Sequence, residues 1–218
     1  MIIIGLTGSI GMGKTTVGGM LERLGVPVYD ADAAVHRIFA RGGAAVGPVG
    51  EAFPGTVVDG AVDRDKLGAA VLGDPAKLRR LEAIVHPRVR EVQRDFLRAA
   101  ARARRALVAL DIPLLFETGG ERRCDVTVLV SAPRGIQARR VLARTGMTRA
   151  KFASILARQM PDYEKRKRAD VIVLTGLDKG RTMGQLAGIV ETLRGRPGWH
   201  WPPRPQLRPG IIARGKPS

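Results

Sequence analysis

Cysteine is nearly absent from this chain: Cys124 stands alone among 218 residues. An internal disulfide and a multi-cysteine metal site are thereby excluded. Asparagine is missing altogether, which removes the Asn-Lys-x-Asp form of guanine recognition and argues against a signalling GTPase. Aromatic residues make up only 4% of the chain, and both tryptophans, Trp199 and Trp201, lie near its C-terminal end. A nucleic-acid surface built on base stacking asks for more aromatics, set among the basic residues. No apolar run approaches the roughly 20 residues that span a bilayer. The opening Met1-Ile2-Ile3-Ile4-Gly5-Leu6 has no basic region ahead of it, so it reads as a core strand and not a signal peptide. The expectation is a cytoplasmic protein with no membrane partner.

What the chain has in plenty is positive charge. Lysine and arginine number 37 against 20 acidic residues, a formal net charge of +17. Arginine outnumbers lysine 29 to 8, and alanine, glycine and proline are abundant, a pattern that codon use in a GC-rich genome produces. The basic residues are spread along the chain, not gathered in one block. That distribution favours anionic small-molecule substrates over a dedicated nucleic-acid surface.

Five short runs rich in Val, Ile and Leu lack polar alternation: residues 2–6, 26–29, 107–110, 126–130 and 171–174. Such runs suit parallel strands covered on both faces. Helical patterns at 14–24, 81–105, 136–143, 149–158 and 181–193 separate most of them. Gly25 ends the first helix, and Pro87 is expected to break or restart the second. Strands alternating with helices predict an α/β fold, a doubly wound parallel five-stranded sheet. The stretch between residues 30 and 107 is longer than one crossover needs, so residues of about 35–95 are expected to form an inserted helical subdomain. From Gly195 the composition turns to Pro, Arg and Gly. That predicts one domain over 1–194 and a basic Pro-rich tail over 195–218, disordered or loosely docked.

Gly8-Ser9-Ile10-Gly11-Met12-Gly13-Lys14-Thr15 fits G-x-x-x-x-G-K-[ST] in full, between a predicted strand and a predicted helix. Glycines let the backbone curl until successive N–H groups point at one anion, and the helix N-terminus adds its partial positive charge. Lys14 places a cation on the β- and γ-phosphates, and the Thr15 hydroxyl can ligate Mg²⁺. The nucleotide-binding candidates are Gly8, Gly11, Met12, Gly13, Lys14, Thr15 and Thr16, with ATP and Mg²⁺ as cofactors. A P-loop identifies a nucleotide and leaves the reaction open.

Other residues bear on the reaction. Asp30 and Asp32 sit just past the second strand, where ligands of open α/β sheets lie. One could accept the proton of an attacking hydroxyl, or serve only as a cap for the helix that Ala33-Ala34-Val35 could begin. Asp111 ends the third strand, with Glu117 close behind, and is placed either on the metal side of a phosphate site or on backbone donors. Arg139, Arg140, Arg144, Arg149 and Arg158 make a basic segment, either a lid over the transferring phosphate or a solvated helix face. His86, followed by Pro87, is either packed or functional. Nothing marks Cys124 as a reactive thiol.

Taken in order, Gly5-Leu6-Thr7 with the P-loop, Asp30-Ala31-Asp32, Val85-His86-Pro87, Asp111-Ile112-Pro113-Leu114-Leu115-Phe116-Glu117 and Arg158-Gln159-Met160-Pro161 with Lys165-Arg166 resemble the dephospho-CoA kinase family. The resemblance covers residues of about 1–175. A kinase for a sugar or a shikimate-like alcohol shares the P-loop and the strand-end aspartate, but it would not need His86-Pro87 or the Asp111–Glu117 signature. The resemblance implies a nucleotide core, a CoA-binding helical subdomain and a mobile lid at about 139–165, transferring phosphate from ATP to the ribose 3′-hydroxyl of dephospho-CoA. It makes Asp32 the favoured base and, with Lys14 and Arg140, a catalytic residue; Arg140 and Arg144 become lid arginines near the phosphates or adenine. Asp32, His86 and Asp111 become substrate-side residues, and Thr15 and Asp111 the metal-side pair. No specific nucleic-acid partner is expected, and the chain should be a monomer or a weak homo-oligomer. Leu174-Thr175-Gly176 departs from the family's usual Asp-Asn before glycine, and the tail from about Gly195 lies past the family's usual end.

Overall fold

The computed structural model describes residues 1–176 and 178–202. Its centre is a parallel sheet of β1 (Ile2–Thr7), β2 (Val28–Asp30), β5 (Leu107–Asp111), β6 (Val126–Ser131) and β7 (Val171–Leu174). The spatial order is β2-β5-β1-β6-β7, so β1 lies in the middle and its C-terminal end opens at the point where strand order reverses. Leu6 pairs with Asp111 on one side and Val128 on the other. All five expected strands are present, and each β1 side chain is buried. Alternate residues feed two cores: Ile2, Ile4 and Leu6 pack with α1 (Lys14–Arg23) and α9 (Lys179–Arg194) on one face, and Ile3 packs with Leu97, Val108 and Cys124 on the other.

Between β2 and β5 the chain forms the inserted helical subdomain: α2 (Ala31–Phe39), α3 (Val46–Ala52), α4 (Arg64–Val71) and the upper part of α5 (Pro75–Arg102). Ile38, Phe39, Val49, Phe53, Val62 and Leu67 give it a core of its own. It also holds a small hairpin, β3 (Val57–Val58) with β4 (Ala61–Val62), turning through Asp59 and Gly60 at φ of 50° and 76°. Asp-Gly between short apolar pairs is the sequence signature of that turn.

Pro87 does not break α5, contrary to expectation; the helix runs through it from Pro75 to Arg102. The proline costs one backbone bond, but nearby carbonyls gain side-chain donors: Arg88 Nη1 donates to Ile84 O at 2.6 Å and Arg90 Nε to His86 O at 3.3 Å. Packing of Leu81, Ile84, Val85 and Val89 on the subdomain core holds the helix on both sides of the proline. Tertiary contact overrides the local preference.

After β6 come α6 (Arg134–Leu142), α7 (Arg149–Ala157) and α8 (Asp162–Arg168), which contain the stretch expected as a lid. The tail, expected to be disordered or loosely docked, makes contacts over its first part. Trp199 N and His200 N donate to Asp125 Oδ1 at 2.5 and 3.2 Å and Trp201 packs on the core beneath, so the chain through Trp201 is held against the sheet. Residues 203–218 of the expected tail lie outside the described residues. Among the described residues no helix is long and apolar enough to cross a membrane.

Candidate active site

From Thr7 the chain turns through Gly8 and the rest of the glycine-rich loop into α1. Gly13 stands at the N-cap with a left-handed φ of 96°, and a side chain there would come within 3.1 Å of Thr175 Oγ1. No side chain caps α1, and no acid occupies its first turn. The leading N–H groups and the positive end of the helix dipole therefore face the loop without an internal competitor, as phosphate binding requires. Thr15 and Thr16 share a cleft of about 370 Å³ with Gly11, Gly13, Arg140 and Arg144. Met12 turns inward instead: its side chain is buried, and its Sδ accepts from Ala132 N at 3.1 Å.

Lys14 Nζ lies 3.6 Å from Asp111 Oδ1. Asp111 closes β5 opposite Asp30 at the end of β2. Burial pushes the Asp111 carboxyl up to about 6; Lys14 opposes that shift, and Asp30 and Asp32 add to it. Its Oδ1 is buried without a hydrogen-bond partner among the described residues. A desolvated carboxylate oxygen beside a phosphate loop, with the Lys14 ammonium at 3.6 Å and no hydrogen-bond donor among the described residues, fits a hard cation. Among the described residues no cluster of three or more His, Cys, Asp or Glu could hold a metal alone. The fit is to an ion held by one carboxylate, a hydroxyl and substrate phosphates, which is the habit of Mg²⁺.

The two aspartates after β2 divide their work. Asp30 Oδ1 accepts from Ala33 N at 3.0 Å and is the N-cap of α2. Asp32, in the first turn, is exposed and looks onto a cleft of about 470 Å³, which Asp30 also lines, with His36, Arg37 and Arg64. Arg64 Nη1 lies 3.2 Å from His36 Nδ1. Sequence reasoning missed these three; the Asp32–His36 spacing of one helical turn was the available signal for the histidine. Arg64 reaches the site only through the insert's fold.

Arg140 is bound more tightly than a mobile lid arginine would be. Its Nη2 donates to Thr175 O at 2.6 Å, and its Nη1 donates to Thr175 Oγ1 at 3.0 Å and Gly11 O at 3.5 Å. Thr175 Oγ1 in turn donates to Met12 O at 2.5 Å. The threonine at the departure from the family pattern thus ties β7, α6 and the P-loop together. Two glutamines grip the same loop, Gln137, which the sequence reading did not single out, and Gln159 of the Arg158-Gln159-Met160-Pro161 signature: Gln137 Nε2 donates to Ile10 O at 2.8 Å, and Ile10 N donates to Gln159 Oε1 at 3.1 Å. Glu117 holds the chain beside Gln159. Its Oε1 accepts from Met160 N at 2.8 Å and lies 2.9 Å from Lys165 Nζ, whose side chain is 0% exposed. His86 is not brought to the site: it is exposed on α5 and lines neither the cleft of Thr15 nor that of Asp32.

A central P-loop, a strand-end aspartate beside its lysine, a free carboxylate one strand over and an inserted acceptor-side subdomain define a P-loop kinase for small molecules. The family model for dephospho-CoA kinase matches residues 2–178. The dephospho-CoA kinase of Paramagnetospirillum magneticum is 63% identical over 195 residues, 89% of this chain and 92% of that protein. That of Mesorhizobium japonicum is 54% identical over 198 residues, 91% of this chain and 100% of that protein. The crystal structure of TT1252 from Thermus thermophilus superposes with a TM-score of 0.78 at 40% identity, covering 88% of this chain and 97% of that one. The chain belongs to the dephospho-CoA kinase family.

Proposed function

We propose that this protein transfers the γ-phosphoryl group of ATP to the ribose 3′-hydroxyl of dephospho-CoA, giving CoA and ADP. Family membership supplies the reaction, and one observation supports the assignment of the base: both aspartates line the cleft beside α2, but Asp30 Oδ1 is taken by the helix cap whereas the exposed Asp32 carboxylate caps nothing. Lys14 and the first N–H groups of α1 hold the β- and γ-phosphates, with Gly8, Gly11, Met12 and Gly13 shaping the loop. Thr15 and Asp111 are the residues that would hold Mg²⁺, which when bound neutralises charge on those phosphates. Asp32 accepts the 3′-hydroxyl proton as that oxygen bonds to the γ-phosphorus. The bond between the γ-phosphorus and the bridging oxygen breaks, and ADP leaves with the electron pair. Thr16 and Arg144 contribute on the nucleotide side. Arg140 acts by bracing the loop through Thr175, and His86, exposed on α5 and lining neither cleft, takes no part in this reading.

The test is a coupled ADP-release assay across alcohol acceptors: dephospho-CoA, adenosine, shikimate and simple sugars. Dephospho-CoA should be turned over far faster than the others. Preferred turnover of shikimate or a sugar would defeat the assignment.

A further inference from the structure

The segment after α9 builds a second cleft, away from the P-loop. Asp125 seats it: besides Trp199 N and His200 N on Oδ1, Ile3 N donates to Oδ2 at 2.7 Å. Gly198 packs so closely on Met1 O that a side chain could not stand there. Trp201 packs on the core that contains Ile3, Leu97 and Cys124. Three backbone donors on one carboxylate and a glycine at a close approach make this a built feature of the fold.

Between that segment and α5 lies a cleft of about 760 Å³, floored by Ile3 and Leu97. Its walls carry Arg90, Arg94 and Arg123 together with Trp199 and Trp201. Ile3 precedes Gly8 by five residues, about 17 Å along a strand at 3.3 Å per residue, so the cleft is distinct from the phosphate loop.

No aspartate or glutamate lines the cleft. Asp125, next to it in the chain, has both oxygens engaged by backbone N–H groups. Arg94 and Arg123 have no ion pair among the described residues. Guanidinium groups gathered without counter-charge beside apolar walls are relieved by an anion, and a planar fork is matched best by phosphate or carboxylate. The indoles add faces on which a flat ring can stack, and Trp199 is 62% exposed. The chain's own residues 203–218 carry Arg204, Arg208, Arg214 and Lys216 and no acidic side chain, so their charge opposes entry.

We infer that this cleft is a second ligand site, for a nucleoside polyphosphate, with the ring on the tryptophans and the phosphates on Arg94 and Arg123. ATP and CoA both have that chemistry. The chain's only two tryptophans line this cleft, so their fluorescence reports its occupancy directly.

The experiment titrates the full chain, the Lys14→Ala variant and the Arg94→Glu/Arg123→Glu variant with ATP, with CoA and with inorganic tripolyphosphate. A saturable quench by ATP or CoA should appear in the parent and persist in Lys14→Ala, where the P-loop is disabled. The double reversal should weaken it by about 100-fold, near tenfold for each lost charge-assisted contact, while kcat stays within about twofold. The stronger of the ATP and CoA arms identifies the source. Absence of quench in Lys14→Ala, or an undiminished quench in the double reversal, would overturn the inference. So would tripolyphosphate competing as well as either nucleotide, or a quench that requires removal of residues 203–218. Tighter quenching by duplex DNA at physiological salt would make the cleft part of a nucleic-acid surface and equally refute the nucleotide assignment. The fluorescence readout does not need turnover, so it can succeed or fail separately from the kinase assay.

Discussion

Asp111→Asn should yield a protein that is more stable and much less active. The Asp111 carboxyl is pushed up to about 6 from an ordinary 3.8, mainly by burial and against the pull of Lys14. The folded state therefore binds the proton more tightly than the unfolded chain does, and ionisation counts against folding. Below about pH 4 both states are protonated and the group contributes nothing. Between about pH 4 and pH 6 the unfolded chain ionises while the folded carboxyl keeps its proton, so the cost grows, and above about 6 it is fully present. A shift of about 2 pK units corresponds to about 3 kcal/mol. A neutral amide of the same shape removes that cost, so the gain should be up to about 3 kcal/mol at pH 8. For a chain of this size that is about 6–12 °C in melting temperature, fading as the pH approaches 4.5. Kinase activity should fall by about 10²-fold, the order seen when one preorganised polar group is removed from a charged transition state. In the parent, kcat/KM for ATP should lose activity on the acid side with a midpoint near pH 6. Thermal melts at pH 4.5 and pH 8, with kcat/KM profiles, decide the matter. A melting temperature unchanged or lowered at pH 8, or an equal gain at both pH values, would refute the reasoning.

Asp32→Asn should lower kcat by about 10²–10⁴-fold, the span for a general base, with ATP affinity and melting temperature little changed; a kcat within a few-fold of the parent would remove Asp32 from the mechanism. Asp30→Ala should do the reverse in kind, costing about 1 kcal/mol of stability as a lost helix cap, measured by urea unfolding. Glu117→Ala strands the Lys165 ammonium in the interior and should cost about 3–5 kcal/mol. Adding Lys165→Met should recover most of that loss, and no recovery would show that the ion pair is not the source.

The sheet and the phosphate loop were legible in the chain because both are local. Buried parallel strands announce themselves as unbroken Val, Ile and Leu runs, and Gly8 to Thr15 must carry its glycines wherever a backbone wraps an anion. Asp111 was legible for the same reason, as the last residue of an apolar strand. The rest depended on contacts between segments far apart in sequence. Asp30 and Asp32 are interchangeable on paper; the dihedrals at the start of α2 made one a cap and left the other free. Pro87 carries a helix-breaking preference that packing on the subdomain core overcame. Arg140 read as either a lid arginine or one more residue of a solvated helix face, and only the fold set Thr175, 35 positions away, against it. Lys165 became a fully buried cation only because Glu117 was folded against it. The tail shows the same division: composition left it disordered or loosely docked, and the side-chain carboxylate of Asp125, 74 residues before Trp199, accepts the backbone N–H groups that hold its first part. Composition and periodicity describe what a segment prefers alone, and burial, pairing and desolvation exist only once the segments meet.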